Sequence, residues 1–527
     1  MVTIRPSMAQ IKSASIRSIR PLVAFIIVAI FAGCVGPVHR EEAGPRRPNI
    51  VVILADDLGY GGLSCQGGDL KTPHIDALAQ SGIRFTNGYV SCPVCSPTRA
   101  GLMTGRYQQR FGHEFNPGPP RKASVAFGLP VTEVTIADRL KAAGYTTGVF
   151  GKWHLGHAPE RLPSNRGFGE FFGFPGGGHR YLKAEIGSQN PIMRGDQPVD
   201  EKEYLTDAFT REAVAFIDRH AKDSKPFFLY LPYNAVHTPM EATEEYLERF
   251  PQIEDPLRRK HAAMLAAMDD GIGAVMTSLR KHDLEDRTLV IFFSDNGGPT
   301  KSNTSSNKPL RGFKGQVLEG GIRIPFIVAW KGHLPAGMVD DRPIIQLDIM
   351  PTALAVAGGS LPTDRQIDGV NLMPYLTGKL RQAPHEILFW RMGPQAAVRK
   401  GDWKLIRRED SASASQPAGK RKKNAAARAR RQRTRNANAK RSAGVAGIGP
   451  IGSAHLYNLA TDIHEDNDLA EANPDKVKEL SAALDAWESQ LVKPLWRGKG
   501  KFRNRRATQP ADGKVGKGQG KRGQRKK

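Results

Sequence analysis

Apolar residues arrive along this chain in short unbroken runs, each closed by a polar or glycine-rich turn. Asn49 to Ala55, Tyr145 to Phe150, Pro226 to Pro232 and Thr288 to Phe293 are four such strand-like segments, rich in branched and aromatic side chains, though Thr146, Thr147 and Gly148 interrupt the second. Continuous hydrophobicity, as opposed to alternation, marks strands covered on both faces, as in parallel sheets. Thr72 to Ala79, with proline at its start, and Ile136 to Ala143 carry helical spacing. Ile83 to Val90 reads as a strand that delivers the chain to a helix opening at Cys95-Ser96-Pro97, with Leu102 and Met103 turned inward. Gln346 to Leu354 reads as a helix closing the main domain. From about Pro384 the pattern changes. Ile387 to Trp390, Ala397 to Arg399, Trp403 to Ile406 and His455 to Leu459 are short alternating strands, and Val477 to Leu491 is an amphipathic helix.

The chain has 527 residues, enough for one large domain and a smaller one. Its net charge of +25 would suggest a nucleic-acid partner if it were spread over the folded body. It is not. Lys420 to Arg441 holds eleven Lys/Arg and no acid, and Arg497 to Lys527 holds thirteen against Asp512 alone, which leaves the rest close to neutral. Both runs are poor in aromatics and match no nucleic-acid-binding fold, so the reading is no specific nucleic acid. Salt-sensitive attraction to a sulfated polysaccharide or an anionic envelope fits better. Residues 409–452, rich in Ala, Ser, Arg and Lys without an apolar period, are expected to be a disordered insertion between two strands.

The start has the form of an export leader. Arg5, Lys12, Arg17 and Arg20 precede the apolar run Pro21 to Ala32, which ends in Phe31-Ala32-Gly33-Cys34. The run is short of the ~20 residues a membrane span needs. Cys34 after Ala-Gly resembles a bacterial lipobox, with Phe31 where Leu is usual, so lipidation and simple cleavage both fit. The expectation is an exported protein: periplasmic, lipid-anchored at the envelope, or secreted, with membrane contact only through such an anchor. The organisation expected is a leader over 1–34, a linker over 35–46, a catalytic domain over 47–383, a subdomain over 384–495 interrupted at 409–452, and a disordered basic tail over 496–527.

Candidate chemistry gathers where the apolar runs end. Asp56-Asp57 follows the first run and Asp295-Asn296 the last. Adjacent carboxylates repel unless a cation neutralises them, and oxygen ligands from two strand ends suit a hard cation, Ca²⁺ or Mg²⁺. Lys152 and His154 are two apart on an extended segment and are expected on one face. His237 follows the third run, and Lys314 sits between Gly312 and Gly315, where close approach to an anion is easy. The loop Gly176 to Tyr181 is a candidate substrate contact. Cys95 would stand at a helix N-terminus, which favours an anion, with Arg99 one turn on. Cys65 and Cys92 are left to pair or to stand as buried thiols.

Cys95-Ser96-Pro97-Thr98-Arg99, continuing through Leu102-Met103-Thr104-Gly105-Arg106, resembles the signature of type I sulfatases, formylglycine-dependent members of the alkaline phosphatase superfamily. Ser164 to Gly169 and Phe171 to Phe174 look like arylsulfatase and N-acetylgalactosamine-6-sulfatase relatives, and the likeness runs from about Arg47 to Leu491. The resemblance implies an α/β fold: an alkaline-phosphatase-like large, mixed, mostly parallel sheet flanked by helices. To this it adds a C-terminal subdomain with a four-stranded antiparallel sheet and a helix. It implies that a formylglycine-generating enzyme oxidises Cys95 to 3-oxoalanine, whose hydrate is the nucleophile. Asp56, Asp57, Asp295, Asn296 and the modified Cys95 would hold Ca²⁺, or Mg²⁺ in its place. Arg99, Lys152 and Lys314 would bind sulfate, His237 with Lys314 would protonate the leaving alcohol, and His154 would take the proton of the second hydroxyl. Phe313 departs from the small residue frequent at its place in the family. The implied activity is that of a sulfuric ester hydrolase acting on a sulfated carbohydrate. A phosphate or phosphonate monoester hydrolase of the same superfamily, or an inactive polyanion-binding relative, are the alternatives.

Overall fold

The computed structural model describes residues 47–119, 126–184, 190–408, 452–496 and 498. The leader 1–34 with Cys34, the linker 35–46, the insertion up to 451 and the tail from 499 lie outside the described residues. The strands in chain order are β1 (Asn49–Ala55), β2 (Ile83–Phe85), β3 (Gly88–Tyr89), β4 (Thr146–Lys152), β5 (Glu170–Phe174), β6 (Ile192–Arg194), β7 (Gln197–Val199), β8 (Phe227–Pro232), β9 (Thr288–Ser294), β10 (Phe326–Ala329), β11 (Met338–Asp340) and β12 (Ile344–Ile345). Ten of them form one sheet in the order β11-β2-β10-β9-β1-β8-β4-β5-β6-β7, while β3 pairs with β12.

The five central strands β9, β1, β8, β4 and β5 are mutually parallel, so their carboxyl ends share one edge. Antiparallel pairings of β10 with β9 and of β6 with β5 and β7 finish the two sides. Every residue of β1 is buried because both faces are covered. Val51 and Ile53 point into a core shared with the helices Leu205–His220 and Pro256–Lys281. Ile50, Val52 and Leu54 point into a second core shared with the helices Cys95–Thr104, Ile136–Ala142 and Ile349–Val356. The alternation of a pleated strand thus assigns each β1 side chain to one of two layers.

A second sheet of four antiparallel strands follows: β13 (Ile387–Met392), β14 (Gln395–Lys400), β15 (Trp403–Arg408) and β16 (Ala454–Asn458). The helix Pro474–Ser489 buries Leu480, Leu484 and Trp487 against it. The resulting core includes Tyr89, Val317, Leu318 and Ile322, so this sheet is seated on the segment between Lys314 and β10. At the far end of β15 the chain leaves at Arg408 and returns at Gly452, whose N–H donates to the Arg408 carbonyl (2.6 Å).

Several expectations are corrected. Ile83 to Val90 is not one strand: it breaks at Thr86-Asn87, where Thr86 N–H and Asn87 Nδ2 bond to the Asp340–Asp341 turn. Lys152 and His154 do not share an extended face, because β4 ends at Lys152 and His154 has φ 58°. Trp496, which the charge pattern assigns to the tail, is 3% exposed. Cys65 and Cys92 are free thiols, so the pairing alternative is not realised.

Candidate active site

The carboxyl edge of the parallel strands is where backbone direction and loop geometry converge, and in open α/β sheets ligands bind there. Asp56 and Asp57 leave β1, Asp295 and Asn296 leave β9, His237 follows β8, and Lys152 closes β4. Asp57 turns the chain with φ 64°, a conformation aspartate tolerates better than most residues. Its carbonyl is held by Ser305 Oγ (2.7 Å) and Asn303 Nδ2 (3.2 Å). The Asp57 N–H donates to Asp295 Oδ1 (3.2 Å), and Asn296 Nδ2 to Asp57 Oδ1 (2.7 Å), which joins the two strand ends directly.

Cys95 opens the Cys95–Thr104 helix and is 1% exposed. Its Sγ lies 3.7 Å from Asp56 Oδ1 and 3.2 Å from Lys314 Nζ. One oxygen from each of Asp56, Asp57 and Asp295 and the Cys95 sulfur all lie within 4.8 Å of one another. Arg99, one turn along the helix, bonds Asp295 Oδ2 through Nε (3.1 Å) and Nη2 (2.8 Å), and the Lys152 carbonyl through Nη1 (2.9 Å). Lys152 Nζ pairs with Asp56 Oδ2, and Lys314 Nζ with Asp57 Oδ1 (2.6 Å).

Burial opposes ionisation of Asp56, yet Lys152, His237, Arg99 and Lys314 together hold its carboxyl well below the usual carboxylate range. Burial and the neighbouring Asp56 push Asp295 up to about 6. Burial likewise pushes the Cys95 thiol up to about 12, against the pull of Lys152 and Lys314. A thiol at that value is protonated at neutral pH and a poor nucleophile. Burial lowers the basicity of His154, helped by Lys152, and also that of His237, where Asp56 works against it.

The residues present fit a hard divalent cation. Three carboxylates converge on one point, and Asn296 Oδ1 is a buried acceptor with no hydrogen-bond partner among the described residues. Three carboxylates facing Arg99, Lys152 and Lys314 balance to zero. A divalent cation would leave +2, matched by a singly charged sulfate ester and an oxyanion nucleophile.

Residues 48–360 match the profile of the family described as Sulfatase. The chain belongs to the sulfatase family. It is therefore a sulfate ester hydrolase, and its mixed sheet with the appended antiparallel sheet is the alkaline-phosphatase-like fold of that family. This sulfatase is 35% identical to mouse N-acetylgalactosamine-6-sulfatase over 384 residues, covering 68% of its own chain and 72% of the relative. It is 36% identical to human arylsulfatase A over 397 residues, covering 68% and 74%. The solved structure of Ps i-CgsB in complex with a neocarrahexaose superposes with a TM-score of 0.73 at 33% identity, over 85% of this chain and 94% of that one.

All ten residues singled out in the sequence meet at this edge of the sulfatase. His154 and His237 line a cavity of about 480 Å³, while the charged cluster itself is buried. His237 Nδ1 faces the Thr238 carbonyl (2.6 Å), which requires a proton on Nδ1 and leaves Nε2 to face Asp57 Oδ2 at 3.7 Å. The Gly176 to Gly178 stretch forms another wall. A Cβ on Gly177 would come within 2.5 Å of His154 Nε2, so only glycine fits there. Of the rest of that loop, Tyr181 instead supports the site from behind, its hydroxyl bonding the His237 carbonyl (2.8 Å).

Sequence reading missed other contributors. Ser96 Oγ donates to the His154 carbonyl (2.6 Å) and so accepts from His113 Nε2 (2.7 Å). Phe115, Asn116, His157, Asn190, Met392 and Gly498 also line the cavity. Gln395, 2% exposed, donates from Nε2 to the Gly315 carbonyl (3.1 Å) and accepts from the Val317 N–H (3.3 Å), clamping the turn that carries Lys314. Only Ser96, inside the Cys95 motif, had a local signal.

Proposed function

We propose that this sulfatase cleaves a sulfate monoester of a sulfated glycan, with residue 95 matured to formylglycine and Ca²⁺ held by Asp56, Asp57, Asp295 and Asn296. The observation that carries the reading is the convergence of Cys95 Sγ, three carboxylate oxygens and Lys314 Nζ at one buried point. A cation bound there neutralises the carboxylates and polarises oxygen ligands. A hydrated aldehyde at position 95 supplies the oxygen nucleophile that a protonated thiol cannot.

The other residues then have distinct tasks. Arg99 is locked against Asp295 and the Lys152 carbonyl, so its guanidinium is aimed before substrate arrives. Lys152 and Lys314 bring positive charge onto the sulfate oxygens, where negative charge spreads as the S–O bond breaks. His237, 20% exposed on the cavity wall, is placed to pass a proton to the departing alcohol, with Lys314 beside it. His154, neutral because it is buried, can accept a proton from a hydroxyl at position 95. A glycan substrate is supported by the cavity's mixture of Phe115 and Met392 with Asn116, His157 and Asn190. The neocarrahexaose complex of Ps i-CgsB supports it too. The leader-like start supports export.

The test is a mass spectrum of the tryptic peptide Phe85–Arg99 from protein made with its maturation enzyme, together with turnover of an aryl sulfate and an aryl phosphate. Exchange of the Cys95 thiol for an aldehyde, with sulfate release dominating, is the expected result. An intact thiol in fully active protein, or phosphate turnover exceeding sulfate turnover, would overturn it.

A further inference from the structure

The ladder between β4 and β5 ends at Lys152 and Phe174. Two residues on, the chain turns through His154 with φ 58°, a left-handed conformation uncommon outside glycine. A backbone of this kind persists only where its surroundings fix it. The His154 N–H donates to the Pro175 carbonyl (3.1 Å), and its carbonyl accepts from Ser96 Oγ (2.6 Å). On the ring side, Gly177 comes so near that a Cβ there would stand 2.5 Å from Nε2.

Ser96 has one proton to donate, and the His154 carbonyl takes it. The Ser96 oxygen is left as an acceptor, 2.7 Å from His113 Nε2. Burial pushes His113 down to about 3, so its ring is neutral and carries a single N–H. That proton belongs on Nε2, because a hydroxyl already donating to His154 can only accept from His113. Both residues are fully buried, and neither is among those that line the cavity. Each is held in turn. Ser96 N–H donates to Asn116 Oδ1 (3.0 Å), His113 N–H donates to the Gln108 carbonyl (3.0 Å), and the Trp496 indole meets the His113 ring edge-on at 4.7 Å. Apolar side chains of the same shape can fill such a space with little change in stability. What the hydrogen bonds add is direction, delivered to one carbonyl.

Resting on the reading of His154 as the acceptor of a proton from position 95, we propose that His113 and Ser96 are positioning residues for His154. The chain from His113 Nε2–H through the Ser96 hydroxyl to the His154 carbonyl fixes the left-handed turn, and with it the direction in which the imidazole meets residue 95. Ser96 is the peptide neighbour of residue 95, so the hydroxyl that holds the acceptor moves with the group that gives up the proton.

The experiment uses full-length protein made with its maturation enzyme, with kcat on an aryl sulfate normalised to the aldehyde content read by mass spectrometry. His113→Phe keeps a ring against Trp496 but removes the N–H, whereas His113→Gln returns a donor near the Nε2 position without the ring. The expected result is a kcat about 10–100-fold lower in His113→Phe, with KM within about threefold, and a kcat within about threefold of wild type in His113→Gln. On a His154→Ala background, His113→Phe should cost less than about twofold more, because its effect passes through His154. A kcat for His113→Phe within about twofold of wild type overturns the proposal, as does an equal or larger loss in His113→Gln, or an equal cost in both backgrounds. If the His113 variants do not fold, Ser96→Ala decides: a fall of about 10–100-fold that Ser96→Thr avoids supports the chain, and a change within about twofold overturns it. If the wild type carries the aldehyde but releases no sulfate, or His154→Ala turns over as fast as wild type, the reading of the site fails separately. The positioning is then decided by the ring-nitrogen resonances of His154, identified by their loss in His154→Ala. A shift in His113→Phe that is absent from His113→Gln supports the proposal, and no shift in either overturns it.

Discussion

Substituting Gln395→Ala tests whether the appended sheet sets the position of Lys314, the cation proposed to bind sulfate. Gln395 opens β14, yet its side chain reaches into the catalytic body and satisfies both the Gly315 carbonyl and the Val317 N–H. Alanine leaves these two backbone groups without that partner, the Val317 N–H at a fully buried residue and the Gly315 carbonyl at a half-buried one. An unmade hydrogen bond at a buried group costs about 1–3 kcal/mol and less at a half-buried one, so a loss of roughly 2–4 kcal/mol of stability follows for the pair. The same turn still has Lys314 N–H on the Gly298 carbonyl (3.3 Å) and Gly315 N–H on the Pro93 carbonyl (2.8 Å), so it should loosen and not detach. A shift of about 1 Å in a positioning element lowers rate by about 10²-fold. The expected outcome on an aryl sulfate is therefore a fall in kcat of about 10–100-fold with a smaller change in KM, alongside a lowered Tm. Gln395→Glu keeps an acceptor for Val317 but sets a carboxylate against the Gly315 carbonyl, so it should recover stability only in part. If Gln395→Ala lowers Tm while kcat stays within about twofold, the clamp is structural only and the reasoning about Lys314 is wrong.

Two further outcomes follow from neighbouring geometry. Ser305→Ala removes the hydroxyl that fixes the Asp57 carbonyl in its left-handed turn, and calcium titration should show affinity weakened about 10–100-fold; an unchanged affinity would mean that Asn303 alone holds the turn. His385 donates to Asp348 Oδ1 (2.7 Å), and although burial opposes protonation, Asp348 raises its pKa. A raised folded-state pKa gives stability that is complete below the unfolded value near 6.5 and is lost as pH rises through the folded one. His385→Gln should therefore lower Tm more at pH 6 than at pH 9, and an equal loss at both would refute the charged pair.

The parts of the fold legible in the sequence are those dominated by local pattern. β1, β4, β8 and β9 announce themselves because both of their faces are covered, which leaves no charged residue inside the run before its carboxyl end. Their carboxyl ends then locate Asp56, Asp57, Asp295 and Asn296, while Lys152 and His237 stand out at such ends only through the family resemblance. The helix Pro256–Lys281 was missed because its buried face mixes Met264, Leu265, Met268, Ile272, Val275 and Leu279 with Ala262, Ala263, Ala267, Gly271 and Gly273, small residues that widen and blur the helical stripe. Gln395, Met392, His113 and Gly498 were missed for a different reason. Each reaches the site from a segment remote in sequence from the residues it meets, as Gln395 does across 80 positions to Gly315, and no local pattern encodes such a meeting. His154 was found by motif but misplaced in conformation, since nothing in Lys152-Trp153-His154 signals a backbone with positive φ.

The junction at Arg408 and Gly452 has a consequence for how this fold changes over time. Because Gly452 N–H meets the Arg408 carbonyl, and Arg408 N–H the Ser453 carbonyl, the β15–β16 pairing is closed above the strands before the intervening chain begins. Forty-three residues, 409–451, leave and return through that closed neck. Lengthening a four-residue hairpin to such a span costs about 2 kcal/mol of closure entropy, because the penalty grows only with the logarithm of length. The neck is a port: the hydrogen bonds that pair β15 with β16 are complete beneath it, so that pairing does not depend on how many residues the chain carries between Arg408 and Gly452.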